Sequence, residues 1–183
     1  MFKEEIKRIC KELNINQIPY IIIGGQAVLL YGEPRLTRDI DITLGINTDR
    51  LLDILQITKK LKLQPLPDDV KTFVEETMVL PVLGRKGIRV DFIFSYTDYE
   101  RKAITRANKV MYDDEEIFYA SKEDVIIHKI IAGRERDLED AKIIIAKQSL
   151  DEKYIIKCLS KFEKTFDKHF VKIYKDLMKK SKI

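Results

Sequence analysis

Residues 39 to 44, Asp-Ile-Asp-Ile-Thr-Leu, open with acids and isoleucines in strict alternation, a pattern with a period of two residues. A strand sets residues i and i+2 on one face, about 6.6 Å apart along its axis. Asp39 and Asp41 therefore point together while Ile40 and Ile42 enter a core. Two carboxylates about 7 Å apart repel by about 2.4 kcal/mol at an effective dielectric near 20, so the pair is most comfortable with a cation between its members. The plainer reading is an edge strand with one solvated face, which carries the same alternation.

Upstream, Pro19 opens Tyr20-Ile21-Ile22-Ile23, an apolar run without alternation, as expected of a strand covered on both faces. Gly24-Gly25 ends that run. Gln26 to Tyr31 suits a short helix, which Gly32-Glu33-Pro34 breaks. Paired glycines commonly make a tight turn. Before a helix, they also let backbone N–H groups approach phosphate oxygens closely. A phosphate cradle beside a carboxylate strand points to phosphoryl or nucleotidyl transfer. The chain has neither a Walker A ending nor G-x-G-x-x-G spacing, which argues against P-loop and Rossmann folds.

Elsewhere the periodicities divide the chain. Ile6, Ile9, Cys10 and Leu13 predict a helix over 2 to 13, closed near Asn14 and Asn16. Leu51, Leu52, Ile54, Leu55 and Leu61 predict another over 48 to 62, with Asn47 or Thr48 as N-cap. Residues 65 to 69 read as a loop. Val79 to Leu83 and Arg89 to Ser95 read as strands of a hairpin joined through Gly84-Arg85-Lys86-Gly87, with Asp91 on the face opposite Phe92 and Phe94. From Ser121, where Ser121 and Asp124 form a start resembling a capping box, the pattern is helical. Val125, Ile126, Ile127, Ile130 and Ile131 form one apolar face. Beyond Gly133, Leu138, Ala141, Ile144 and Ile145 form a second. After Asp151, a face from Tyr154 through Phe162, Phe166, Phe170 and Ile173 to Leu177 completes the chain.

With 183 residues, 45% of them hydrophobic, the chain can fill one sizeable core. The expected arrangement is a core over 1–118 and a helical C-terminal subdomain over 119–183 packed on it. Lys+Arg 34 against Asp+Glu 30 leaves +4, which permits a nucleic-acid partner without requiring one. Lys175, Lys179, Lys180 and Lys182 are candidates for RNA contact or for a merely solvated helix face. Cys10 and Cys158 lie far apart, so reduced thiols are expected and a zinc ribbon is not. His128 and His169 lack ligand spacing and read as partly buried structural residues. Neither a signal-like start nor a run of some eighteen apolar residues is visible, which predicts a cytoplasmic protein without a membrane partner.

Taken together, Ile23-Gly24-Gly25-Gln26-Ala27, Arg35-Leu36-Thr37-Arg38-Asp39-Ile40-Asp41 and Val90-Asp91-Phe92-Ile93 resemble the DNA polymerase β-like nucleotidyltransferase superfamily. Within it, these segments look most like the small prokaryotic enzymes that include AbiE-type toxins. Ser121 to Asp124, Lys129 and Arg136 to Asp140 are similar to the helical segment of those enzymes. The resemblance covers about residues 19 to 145. It implies an α/β (α+β) fold, with a mixed β-sheet flanked by helices and a helical C-terminal part.

Two Mg2+ ions held by Asp39, Asp41 and Asp91 are implied too, with Asp91 nearest the attacking hydroxyl. An NTP would be bound by Gly24 and Gly25, with Arg35, Thr37 and Arg38 near the nucleotide and Lys129 as a candidate phosphate contact. The implied reaction moves a nucleoside monophosphate to a hydroxyl on an RNA end, a protein or a small molecule, with release of pyrophosphate. The resemblance also allows a toxin with a cognate antitoxin. A regulatory module of the same fold that binds nucleotide without transfer is the alternative. On the bland side, Lys129 is an ordinary solvated lysine, and Arg136 with Asp140 is an i,i+4 ion pair.

Overall fold

The computed structural model describes residues 1–95 and 97–181. The chain divides into two compact units, Met1–Gln26 with Thr37–Tyr119, and Ala27–Leu36 with Ala120–Ile183. The second unit thus contains a segment from early in the chain besides the expected C-terminal helices.

The first unit holds a seven-stranded mixed sheet. Its strands are β1 (Tyr20–Ile22), β2 (Asp39–Leu44), β3 (Gln64–Pro65), β4 (Val79–Leu83), β5 (Arg89–Phe94), β6 (Asn108–Tyr112) and β7 (Glu115–Tyr119), ordered β3-β4-β5-β2-β1-β7-β6. The pairs β2/β5 and β1/β7 are parallel and the others antiparallel. Strand β2 therefore lies inside the sheet, between β5 and β1, which removes the edge-strand reading of its alternation. Ile40, Ile42 and Leu44 are buried together with Val90, Phe92 and Phe94 of β5, while Asp39, Asp41 and Asp91 are half-buried. β1 is buried throughout, as its unalternating sequence predicts.

Helix α1 (Phe2–Ile15) buries Ile6, Ile9, Cys10 and Leu13. It runs through Asn14, whose amide donates to Glu115 Oε1 (2.7 Å) and to the Glu116 carbonyl (3.0 Å) and so pins the helix to β7. Asn16 closes it, its side chain donating to the Glu12 carbonyl (2.7 Å). Helix α2 (Gly24–Tyr31) starts at the glycine pair itself. Asn47 accepts the Thr48 N–H (2.8 Å) at a 3-10 turn leading into α3 (Leu51–Leu61), where Leu51, Ile54, Ile57, Thr58 and Leu61 are buried but Leu52 is exposed.

Two helices had no reading in the sequence. In α4 (Val70–Thr77), Val74 is buried and Asp69 caps the start, accepting the Thr72 N–H (3.1 Å) and hydroxyl (2.7 Å). Its valines, threonines and phenylalanine have poor intrinsic helix propensity, so the cap and packing decide. α5 (Asp98–Thr105) begins with a reciprocal capping box between Thr97 and Glu100. The β6–β7 hairpin, also unforeseen, turns through Asp113 and Asp114, with Asp113 at φ 56°.

The second unit comprises the rest of α2, α6 (Lys122–Ala132), α7 (Glu135–Lys147), α8 (Glu152–Phe166) and α9 (Phe170–Lys180). Ser121 caps α6 by accepting the Asp124 N–H (3.1 Å), and its hydroxyl donates to Asp124 (2.7 Å) in place of the reciprocal bond of a full capping box. Gly133 ends α6 at φ +67°. The apolar face after Asp151 belongs to two helices. Asp167, at φ 50°, separates α8 from α9, and Glu163 bridges the break by accepting the Val171 N–H (2.8 Å). Ile155, Leu159, Phe170, Tyr174 and Leu177 are buried, whereas Phe166 is exposed. His128 is half-buried, but His169 is exposed, contrary to expectation. Among the described residues no helix is long and apolar enough to cross a membrane.

Candidate active site

Parallel pairing of β2 with β5 puts Asp41 opposite Asp91, and Asp39 opposite Arg89. Partners in register share a sheet face, so the backbone aligns Asp41 with Asp91 and sets Asp39 one step along the same face. The hairpin extends the row, because Pro81 of β4 lies opposite Asp91 on its other side.

On the β1 flank the chain closes against Asp41. Ile23 donates its N–H to the Asp41 carbonyl (2.9 Å). Gly24 follows at φ +63°, and a Cβ built there would collide with the Asp41 carboxylate. Glycine is required at this position both for the left-handed backbone and for the space. Gln26, on the first turn of α2, is buried and donates to the Thr37 hydroxyl (2.7 Å) and the Asp39 carbonyl (3.4 Å). Thr37 is thereby tied to the start of the aspartate strand, and Arg38 beside it is exposed.

Sequence reasoning missed Arg89 and Gln26 as parts of this site. Arg89 Nε donates to Asp91 Oδ1 at 2.9 Å. That hydrogen bond and the Asp91 charge raise the guanidinium pKa above its ordinary value, and Asp39 and Asp41 add smaller pulls in the same direction. The available signal was spacing, since Arg89 sits two residues before Asp91 on one strand and so shares its face. The same device revealed Asp39 and Asp41.

The residues present fit a divalent cation in donor type and in backbone register. Half-buried carboxylate oxygens suit a hard ion such as Mg2+. The side-chain positions are less complete. Among the described residues no three His, Cys, Asp or Glu side chains are gathered tightly enough to hold a metal ion, and Asp91 has turned to Arg89.

Arg35 and Lys129 belong to the second unit, and both are committed to acids there. Arg35 grips Asp140 through two bonds of 2.9 Å. Buried Lys129 reaches Asp137 (2.6 Å) and Asp140 (3.0 Å), so the solvated-lysine reading does not hold. Arg134 adds a contact to Asp137 (2.8 Å). Burial works to raise the Asp137 pKa, but the hydrogen bonds and charges of Lys129 and Arg134 outweigh it and hold the carboxyl below its ordinary range. Arg136 donates to the Leu36 carbonyl (2.8 Å), while Asp140 takes Arg35 and Lys129 instead of the i,i+4 partner that spacing suggested. On α9, Lys175, Lys179 and Lys180 are exposed, and Lys182 lies outside the described residues.

Solved structures with this fold include the antibiotic-resistance factor ANT(2'')-Ia, at 16% identity and TM-score 0.61, covering 90% of this chain and 92% of that one. The lincosamide antibiotic adenylyltransferase LnuA, bound to lincomycin, matches at 16% identity and TM-score 0.53, over 77% of this chain and 94% of that one. An antigenic nucleotidyltransferase-like protein from Paracoccidioides brasiliensis matches at 16% identity and TM-score 0.56, over 90% and 88%. At such identities the likeness shows the fold alone, and it does not extend to the narrower AbiE-type likeness. No curated protein sequence matches the chain. The family model described as "Nucleotidyltransferase of unknown function (DUF6036)" matches residues 1–180, and the chain belongs to that family.

Proposed function

We propose that this nucleotidyltransferase moves a nucleoside monophosphate from an NTP to a hydroxyl acceptor with release of pyrophosphate, using Mg2+ held by Asp39, Asp41 and Asp91. The observation that carries the reading is the register of Asp41 against Asp91 on parallel strands, with Asp39 on the same face and Gly24 packed on Asp41. When bound, the metal supplies neutralisation of the triphosphate and activation of the attacking hydroxyl. Asp39 and Asp41 would hold it from one strand. Asp91 faces them from the next, where its carboxylate can orient the acceptor hydroxyl and take its proton. Gly24 and Gly25 offer backbone N–H groups at the start of α2 to the phosphates. Thr37 and Arg38 stand at the mouth of the aspartate strand. Arg35 and Lys129, which the resemblance sets near the nucleotide, are held by Asp140 and Asp137 within the second unit. Asp91 carries Arg89 on Oδ1, and would hold a cation through its other oxygen or in place of that arginine.

Incubation of the purified protein with α-labelled NTP, Mg2+ and candidate acceptors tests this. Label transferred by the wild type and lost with EDTA or in Asp39→Asn supports the proposal; label that never becomes attached to any acceptor refutes it. The alternative is a module that binds nucleotide without transferring it, and the Arg89–Asp91 ion pair favours that reading because it engages one oxygen of the third carboxylate. Such a module retains NTP on a filter and releases no pyrophosphate. The finer reading as a toxin, with an antitoxin partner in the cytoplasm, rests on the sequence resemblance. It predicts growth arrest on expression that Asp41→Asn abolishes.

A further inference from the structure

Beyond Asp91, on the side away from Asp41, the carboxylate row continues into a cleft. Its volume is about 500 Å³, and its lining includes Leu66, Asp68, Phe73, Glu76, Pro81 and Arg89. Pro81 and Arg89 belong to both the cleft and the row, because Pro81 lies opposite Asp91 and Arg89 opposite Asp39. Neighbouring strands stand about 4.8 Å apart, so a group resting on Pro81 is about one strand spacing from Asp91. The glycine turn lies on the opposite flank of β2, against Asp41. The cleft beside β4 and the glycine turn beside β1 therefore lie on opposite flanks of the β5–β2 pair.

We infer that this cleft is the acceptor site and that its acceptor is a small molecule that bears amino groups besides the hydroxyl that is modified. The inference rests on the transferase reading above. A volume near 500 Å³ is that of a small-molecule pocket. Leu66, Pro67, Phe73 and Pro81 make up the apolar part of the lining, and the Phe73 ring is more than a third exposed, as a ring that meets a cation must be. Asp68, Asp69 and Glu76 line the rim, while the lining's arginine, Arg89, is already bound to Asp91. An ammonium group is drawn to this rim, and the phosphates of an RNA end are repelled by it.

The test uses the full chain without NTP or metal, titrated calorimetrically with tobramycin, with trehalose as a neutral control and with a short RNA hairpin. Removing one acid about 5 Å from an ammonium in a water-like dielectric weakens binding about fourfold. The double variant Asp68→Asn/Glu76→Gln is expected to bind tobramycin at least tenfold more weakly than the wild type. Asp69 is left in place because it caps α4. Both substituted residues are exposed, and an unchanged melting temperature confirms that the fold is kept.

Equal tobramycin affinity in the two proteins, or tighter binding of the RNA hairpin, overturns the inference. Charge-selective binding with no transfer to any acceptor overturns the transferase reading but leaves the cleft's preference standing. Transfer to RNA without tobramycin binding does the reverse.

Discussion

The sheet unit and the helical unit each gather aspartates and treat them in opposite ways. In the helical unit the Asp137 and Asp140 side chains are 7% and 6% exposed, and Lys129, Arg35 and Arg134 reach them directly. In the sheet unit Asp39, Asp41 and Asp91 are half-buried on one face, and the arginine that binds Asp91 is itself 53% exposed. An enclosed carboxylate must be neutralised where it stands, because water cannot solvate it. Acids aligned by strand register and still touched by solvent need no permanent cation for the chain to fold. They can therefore take a removable one. The enclosed network has the character of a structural clamp and the open row that of a site.

The largest effect expected is on transfer. Asp41→Asn should lower the rate about a thousandfold, equivalent to about 4 kcal/mol of barrier, with the melting temperature near that of the wild type. Pyrophosphate release together with thermal melting reads both quantities, and retained transfer would break the contrast between the two units.

Lys129→Met probes the other side. It leaves two buried acids short of their shared cation and should destabilise the protein by about 3 kcal/mol in urea unfolding. A variant that melts like the wild type but binds NTP poorly would move Lys129 from clamp to site.

Gly24→Ala comes next. Left-handed backbone costs a residue with a Cβ about 1–2 kcal/mol, and here the Cβ also meets the Asp41 carboxylate. Gly87→Ala is the control, since Gly87 has φ +73° but open space around its Cβ position. Urea unfolding of both variants separates strain from collision, and Gly24→Ala should be the worse of the two.

The smallest effect concerns acid stability. The Asp137 carboxyl is held below its ordinary range, so on acidification the unfolded chain takes up the proton first. Stability from this group is complete above the ordinary carboxylate pKa and is lost as pH falls through the lowered folded value. Asp137→Asn should flatten that part of a pH–stability curve measured by thermal melting. An unchanged slope would show that the clamp titrates elsewhere.

Elements whose apolar residues keep one period were legible in the chain itself. α1, β1, β2, the β4–β5 hairpin and α6 all appear within a few residues of where their patterns predict them. Segments without a period were not. α4 has one buried residue, Val74, and depends on the Asp69 cap, while α5 begins with a capping box that went unread. The join between α8 and α9 has neither glycine nor proline to mark it, since Asp167 itself adopts the left-handed turn. Within the candidate site, the positions of Asp39, Asp41, Asp91 and the glycine pair could be read because each stands on a strand or at its end, where side-chain direction follows from position.

By itself the sequence determined which residues share a strand face, where the chain must turn through glycine, and that acids alternate with a buried apolar set, because these follow from local backbone geometry. Only the tertiary structure decided that β2 lies inside the sheet with Asp91 opposite Asp41, that Arg89 pairs with Asp91, and that Arg35 and Lys129 meet Asp140. Asp41 and Asp91 stand 50 positions apart and Arg35 and Asp140 stand 105 apart, while Arg89 lies only 2 from Asp91 and Lys129 only 11 from Asp140. Such pairings are set by strand order and by the need to neutralise buried charge, and no local period in the chain records either.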